Sequence, residues 1–417
     1  MKTRTAQCRA KGSVLLATIC ATVIVAVTLI GYLAMSSQQQ RVAARSQIWN
    51  LCLPLAEAGV EEALTHCYLD FNTLASEGWT YNAGSKTYFK TNALKEGYYH
   101  VGFTEGYQHL IYSTGYMQLA GTKGYLSRSL RVINIQNVIF KKAINVRGQV
   151  DLSGNNVMTD SYDSRDPSKS TGLRYDPTKA GDRGDIVCSN MVNVGNADIW
   201  GHVITPPAAG LNIGPNGSVG SLGWHAAGNL GLEGGWWTVT TNIDYYPNVK
   251  APFTTGMSPK SGTVNGIYYD QIFNKGEYVV SGMAGNVLVT DNAVVYSSGS
   301  VGANLLHLNT TNSSLALYVR GSTCNLSAIT NVNNYAGSCV IYGLPSCTSF
   351  SVAGSASLTC AVYAPQAVIK LNGGAQMSGA VVCKDFIMTG HSQFHFDDAL
   401  ATDRDLMIFE IPDWSEL

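Results

Sequence analysis

Asp160, Asp163 and Asp166 stand three residues apart, and Asp182 and Asp185 follow closely. Carboxylate oxygens at that density suit a hard cation such as Ca²⁺. The spacing is not that of an EF-hand or a nonapeptide calcium repeat, and an Asx-rich loop that satisfies its own backbone uses the same residues. The three aspartates are therefore weak calcium candidates, and no cofactor is expected. His391, His395, Asp397 and Asp398 form a second cluster near the C-terminus. A metal there would need convergent geometry and supporting partners. A polar cap over the end of a stacked domain accounts for the same residues. Gly217-Ser218-Val219-Gly220 lacks the G-x-S-x-G pattern of a nucleophile elbow. Asp198, Lys370 and Lys384 are scattered, so no acid pair for glycoside hydrolysis stands out. Trp236-Trp237 and Tyr245-Tyr246 offer surfaces for stacking on sugar rings, and equally fill a core or a corner. No catalytic residue is assigned, and the chain reads as a non-enzyme.

These residues belong to a 417-residue chain with 43 glycines, only 13% charged residues and a formal net charge of -1. That balance gives no basic stripe for nucleic acid, and no nucleic-acid partner is expected. From Val138 onward, Gly, Asn, Ser and Thr punctuate short apolar runs, as in many short strands joined by tight turns. Val192-Asn193-Val194-Gly195 matches Leu211-Asn212-Ile213-Gly214 at an offset of 19, with Gly201 and Gly220 in step. Phe350-Ser351-Val352 lines up with Val368-Ile369-Lys370 and then Phe386-Ile387-Met388 at an offset of 18, followed by Gly354, Asn372 and Gly390. A period this short has no room for a helix pair and fits one turn of a β-solenoid, of the right-handed parallel β-helix kind. A β-sandwich also uses many short strands but does not require the period.

The N-terminal part carries different signals. Ser13 to Met35 holds no charge, and four cations, Lys2, Arg4, Arg9 and Lys11, precede it. As a helix it spans ~35 Å, enough to cross a bilayer. The positive-inside rule places the N-terminus in the cytoplasm and the rest outside. Apolar residues at Ala44, Ile48, Leu51, Leu55 and Ala58 continue a helical stripe, interrupted by Pro54, which should kink it. In Phe71 to Asn137, Tyr99-Val101-Phe103, Leu110-Tyr112 and Leu130-Val132 alternate as half-buried strands do, with a slip of phase at Ile133 and Ile135 that reads as a bulge or a strand buried on both faces. A small antiparallel sheet packed on the outer half of the helix is predicted. Ten cysteines are present, none in a CxxC pair. Cys52 and Cys67 would lie ~22 Å apart on one helix, too far to bridge. For the five between Cys324 and Cys383, disulfides and buried free thiols both stand.

Lys11-Gly12-Ser13 before the apolar helix resembles a prepilin leader. Leu55-Ala56-Glu57-Ala58-Gly59-Val60-Glu61-Glu62-Ala63-Leu64 is similar to the end of the helix in PilX-type minor pilins and related pseudopilins. Ile111 to Gly115 followed by Arg128 to Val132 resembles the strand module that follows there. The segments Asp160 to Ser164, Gly181 to Asp185, Val362 to Pro365 and Phe394 to Leu400 resemble a β-solenoid surface domain attached to such helices. The resemblance implies cleavage by a prepilin peptidase between Gly12 and Ser13. Other pilin-like subunits, inner-membrane lipid and a surface polysaccharide or protein ligand are the implied partners. It also implies a single-pass protein of the bacterial inner membrane, with a periplasmic or surface-exposed C-terminal domain. Major pilins carry Glu at the fifth position after the cut; Ala17 stands there, which argues against a filament-building major subunit.

The expected organisation is a basic leader at 1–12, a transmembrane helix continuing as an amphipathic helix at 13–70, and a pilin-like β module at 71–137. A β-solenoid at 138–400 and a tail at 401–417 complete it. The expected role is that of a structural or adhesive minor pilin-like subunit of a type IV pilus or a type II secretion-like assembly. The alternative is a membrane-anchored carbohydrate-binding or carbohydrate-active β-helix protein.

Overall fold

The computed structural model describes residues 13–67, 74–94, 97–105, 108–119, 122–241, 246–352, 354–403 and 406–417. The leader 1–12, including Gly12 and Cys8, lies outside the described residues. The fold is mainly β, with an N-terminal apolar helix, a six-stranded antiparallel sheet and a β-solenoid. Two units are separable: Met1–Asn137 with Phe409–Leu417, and Val138–Ile408.

In the first unit one helix, Ser13–Cys67, runs without interruption through Pro54. Its apolar N-terminal part is long and apolar enough to cross a membrane, and its side chains are exposed. The buried stripe of the C-terminal half is Cys52, Ala56, Val60, Ala63 and Cys67, at spacings of four and three. This corrects the stripe through Ala44 and Leu51, which are exposed. Small residues occupy the stripe because the sheet comes very close to the helix. The core beneath it joins Ala56, Val60, Ala63 and Cys67 to Leu74, Trp79, Tyr99, Val101, Phe103, Ile111, Leu130 and Val132.

The sheet runs Thr80–Asn82, Thr87–Leu94, Gly97–Thr104, Gln108–Gln118, Tyr125–Val138, and then Met407–Glu416. The last strand overturns the expected 401–417 tail: Arg128 makes a two-pronged ion pair with Glu416 at 2.5 Å, and the Leu417 amide donates to Ser129. In Gln108–Gln118 the inward positions are His109, Ile111, Ser113 and Met117, while Tyr112 is exposed. The Leu110-Tyr112 phase is therefore wrong by one residue, because polar and small side chains face the helix there. The pairing of Tyr125–Val138 with Gln108–Gln118 is continuous from Tyr125 to Ile135, without a bulge there. Ile133 is flanked by inward-facing Val132 and Asn134 rather than marking a slip.

The second unit is a parallel solenoid with an unexpected chain path. Turns stack in register, so Val192 lies on Leu211 and Ile199 on Val219. The first turn, Ile144–Val146, Val150–Asp151 and Met158–Tyr162, stacks on one side against Ile186–Cys188, Val192–Gly195 and Asp198–Trp200. On its other side it stacks against the last turn, Gln376–Met388 and Gln393–Asp397. Residues up to Val239 thus build away from the first turn. The chain then travels back along the stack. Tyr246 donates to Asn145, Tyr363 to the carbonyl of Pro247, and Met257 bridges Tyr278. It starts again at the far end with the antiparallel hairpin Lys260–Val264 and Ile267–Phe273, and winds back to meet its own beginning. The cap expected at 391–398 is instead an internal turn, because its two flanks pair with Gln376–Met388 and Met158–Tyr162.

Register corrects the repeat in the C-terminal half. Phe350 pairs Ile369, an offset of 19, and Ile369 pairs Phe386, an offset of 17. The stacked corner is Gly354, Gly373 and Gly390 rather than Asn372. Nine described cysteines are free thiols, eight of them buried.

Candidate functional site

A concavity of about 680 Å³ lies on the solenoid where the first and last turns meet. Its floor follows from strand alternation. In Ser357–Leu371 and Gln376–Met388, Leu358 and Met377 point into the core, so Ser357, Thr359, Gln376 and Ser378 point out. Register carries these into ladders: Ser357 on Gln376 on Gln393, and Thr359 on Ser378 on His395 on Asp160. One wall is Asn331 and Asn334. The other is a strap between Asp163 and Asp185, which supplies Arg174 and Tyr175.

The strap is tied down by buried polar chemistry. Asp160 is fully buried; one oxygen accepts from His395 Nδ1 at 2.6 Å and the other from the Tyr175 hydroxyl at 2.5 Å. Tyr175 stacks on the His395 ring with centroids 3.6 Å apart. Burial, then the charge of Asp160, pushes the Tyr175 hydroxyl well above its ordinary pKa. Facing a carboxylate, Nδ1 carries a proton. His395 and Asn331 line the groove, and His395 Nε2 and Asn331 Oδ1 are buried without a hydrogen-bond partner. Arg174 donates Nε to Asn334 at 2.9 Å. Among the described residues no carboxylate lines the groove.

Below the strap, Asp397 accepts from Ser164 N and Oγ at 3.0 and 2.8 Å, and from the amides of Ala336 and Ala399. Arg165 lies 4.2 Å over the Tyr335 ring and pairs with Asp403 at 3.1 Å. Asp398 faces Arg183 at 3.3 Å and Lys169 at 3.9 Å. Burial lifts the Asp398 carboxyl from 3.8 to about 6, opposed by those two cations and assisted by Asp163 and Asp397. A carboxyl raised in the folded state binds more protons folded than unfolded between about pH 4 and 6, so the contribution of Asp398 to stability falls as pH rises through that window. Replacing Asp398 by Asn should therefore stabilise the full-length protein by about 2 kcal/mol at pH 7.5 and change little at pH 3.5. Urea unfolding in detergent at the two pH values measures this; a variant less stable at pH 7.5 would refute it.

The structure disperses the calcium candidates. Both Asp160 oxygens are engaged as above, Asp163 accepts from the Arg165 amide at 2.9 Å, and Asp166 accepts from Ser168 N and Oγ at 2.8 and 2.7 Å. Asp185 pairs with Lys142 at 2.6 Å, and Asp182 accepts from the Leu222 amide. Among the described residues no three His, Cys, Asp or Glu side chains converge as a metal site. His395, Asp397 and Asp398 likewise serve separate partners. Ser218 does meet both Asp198 and His225, but its hydroxyl donates to the aspartate, and His225 Nε2 lies 3.1 Å from the Ile199 carbonyl. That order leaves no imidazole between acid and hydroxyl, as a nucleophilic triad requires. Trp236 stacks on His202 at 4.1 Å, Trp237 donates to Thr205, and Tyr246 is buried. They form no shared sugar platform; Tyr245 lies outside the described residues. Ala17 sits exposed on the apolar part of the helix. Sequence reasoning missed the groove. The signal was present as polar residues at alternate positions of two consecutive turns, Ser357, Thr359, Gln376 and Ser378.

Residues 244–403 match a family described as a domain of unknown function, DUF7305. The described part of the match runs from Tyr246 to Asp403, just beyond the last turn. No curated protein matches the chain. Among solved structures, the competence-associated pilin ComZ from Thermus thermophilus is 11% identical, with 89% of this chain and 97% of that one covered and a TM-score of 0.27. A glycosylated ice-binding protein from an Arctic yeast is 11% identical over 63% of this chain and 94% of its own, with a TM-score of 0.23. The ice-binding protein 1 domain from Shewanella frigidimarina is 9% identical over 62% and 94%, also with a TM-score of 0.23.

Proposed function

We propose that the chain is a non-enzymatic, structural or adhesive minor pilin-like subunit, held in the bacterial inner membrane by its N-terminal helix and presenting the solenoid outside. One observation carries this reading: a single helix is exposed and apolar in its first part and, without a break, becomes the spine of a small antiparallel sheet in its last turns. A plain signal anchor has no need of that continuity. The basic leader orients the N-terminus to the cytoplasm. The wiring of Asp198, Ser218 and His225, and the engagement of both Asp160 oxygens, support a role without catalysis. Ala17 in place of a membrane carboxylate supports a low-copy place in a pilus or secretion-like assembly, with partner subunits supplying the pairing group. Prepilin peptidase is the processing partner this reading requires. N-terminal sequencing of the membrane-bound protein should begin at Ser13 and should revert to Met1 when the peptidase is deleted. A mature start beyond Met35, or an intact leader in wild-type cells, would overturn it.

A further inference from the structure

We propose that the groove at the meeting of the first and last solenoid turns binds an extended saccharide chain, with Arg174 favouring one that carries uronate groups. The inference rests on the groove alone and holds whether or not the chain enters a filament. Its floor is built from hydroxyls and amides on successive rungs, which parallel strands space ~4.8 Å apart along the axis. Thr359 and Ser378 each present a hydroxyl, and Gln376, whose Nε2 donates one hydrogen to Gln393 at 3.3 Å, keeps a second N–H and its carbonyl oxygen. A polyhydroxylated chain lying along the axis can exchange hydrogen bonds with each rung in turn.

The apolar residues of the lining do not compete with this reading. Ile329 and Ala356 are buried to 5% and 6% exposure, so their side chains offer no anchor. A protein or peptide partner draws most of its affinity from large side chains filling such pockets. A saccharide does not need them. Two polar atoms of the lining residues are also left unpaired: His395 Nε2 and Asn331 Oδ1, both buried. Leaving such a group unpaired costs about 1–3 kcal/mol. A hydroxyl, which both donates and accepts, suits either atom. Arg174 is exposed at the rim and is the one Lys, Arg, Asp or Glu among the described lining residues, while the Asp160 carboxylate is buried behind His395 and Tyr175. That selects a carboxylated sugar over a neutral one.

Titration calorimetry of the full-length protein in detergent, with hexagalacturonate and cellohexaose as probes, tests this. Hexagalacturonate should bind, and more tightly than cellohexaose at low salt. Arg174→Gln should weaken it about tenfold and erase the difference between the two probes. Gln376→Trp, at an exposed position, should block both probes without altering the unfolding midpoint. The proposal is overturned if the wild type binds neither oligosaccharide at millimolar concentration, or if Gln376→Trp binds as the wild type does.

Discussion

Gly115→Val should undock the helix from the sheet in the first unit. A Cβ at Gly115 would stand 2.2 Å from the carbonyl oxygen of Cys52, 2.6 Å from the amide nitrogen of Ala56 and 2.7 Å from Leu55 Cβ. The first two are backbone atoms within a helix and cannot rotate aside. The contact has a counterpart on the helix: a Cβ at Gly59 would meet Ser113 Oγ at 2.3 Å and the Tyr99 ring at 2.9 Å. Helix and sheet are thus seated on two glycines, and the buried stripe of Cys52, Ala56, Val60, Ala63 and Cys67 reaches the sheet only at that distance. Pushing the helix out opens gaps along the whole stripe, so the cost should reach about 3 kcal/mol or more, the upper end for overpacking. Trp79, 4% exposed and edge-on to Phe103 at 4.9 Å, should become solvated. Gly124→Ala, where the nearest atom is Thr122 Oγ1 at 3.5 Å, should stay within about 0.5 kcal/mol. Hydrogen exchange of Gly97–Thr104 in the full-length protein reads the difference. Wild-type protection of that strand in Gly115→Val would sink the argument.

Much of this architecture is legible in the chain, and the parts that are not share a cause. The apolar helix, the sheet and the solenoid announce themselves through local composition and period. What is lost is whatever depends on pairing between distant segments. A period of 18 or 19 identifies a solenoid, but strand faces alternate every residue, so an offset wrong by one reverses every side chain. That is the error at Phe350 and Ile369, where loops of unequal length make the true offsets 19 and 17. His109, Ser113 and Asn134 face the first core despite their polarity, which period alone does not show. His395 and Asp397 look like a cap because they come last, yet coming last in sequence does not mean coming last in the stack. Only the pairing of His395 with Asp160, 235 residues away, reveals the seam and the groove beside it. The three aspartates drew attention as a cluster, whereas the structure uses Asp160 alone at the site.

A substitution at Gly379 should show how much the solenoid depends on that seam. Gly379 lies between Cys360 on the preceding turn and Phe396 on the following one. Its φ of 147° is one that L side chains rarely adopt. A Cβ there would stand 1.9 Å from the Cys360 carbonyl oxygen and 3.2 Å from Ala336 Cβ. Gly379→Val therefore adds backbone strain of about 1–3 kcal/mol to a clash that only a shifted strand relieves. The same strand continues into Val381, Val382 and Cys383, which pair with Ile144–Val146 of the first turn. In a solenoid wound in simple sequence order, damage at residue 379 would fray the C-terminal end and leave the first turn protected, since each turn is held by its neighbours. Here the first turn has Gln376–Met388 and Gln393–Asp397 as one of its two neighbours. Met158–Tyr162 should lose amide protection together with Gln393–Asp397, by a total of about 4 kcal/mol. Gly302→Ala, where a Cβ meets only the Met283 carbonyl at 4.0 Å, is the matched control and should change little. If Gly379→Val exposes the last turn while Met158–Tyr162 exchanges as in the wild type, the two halves do not meet at this seam.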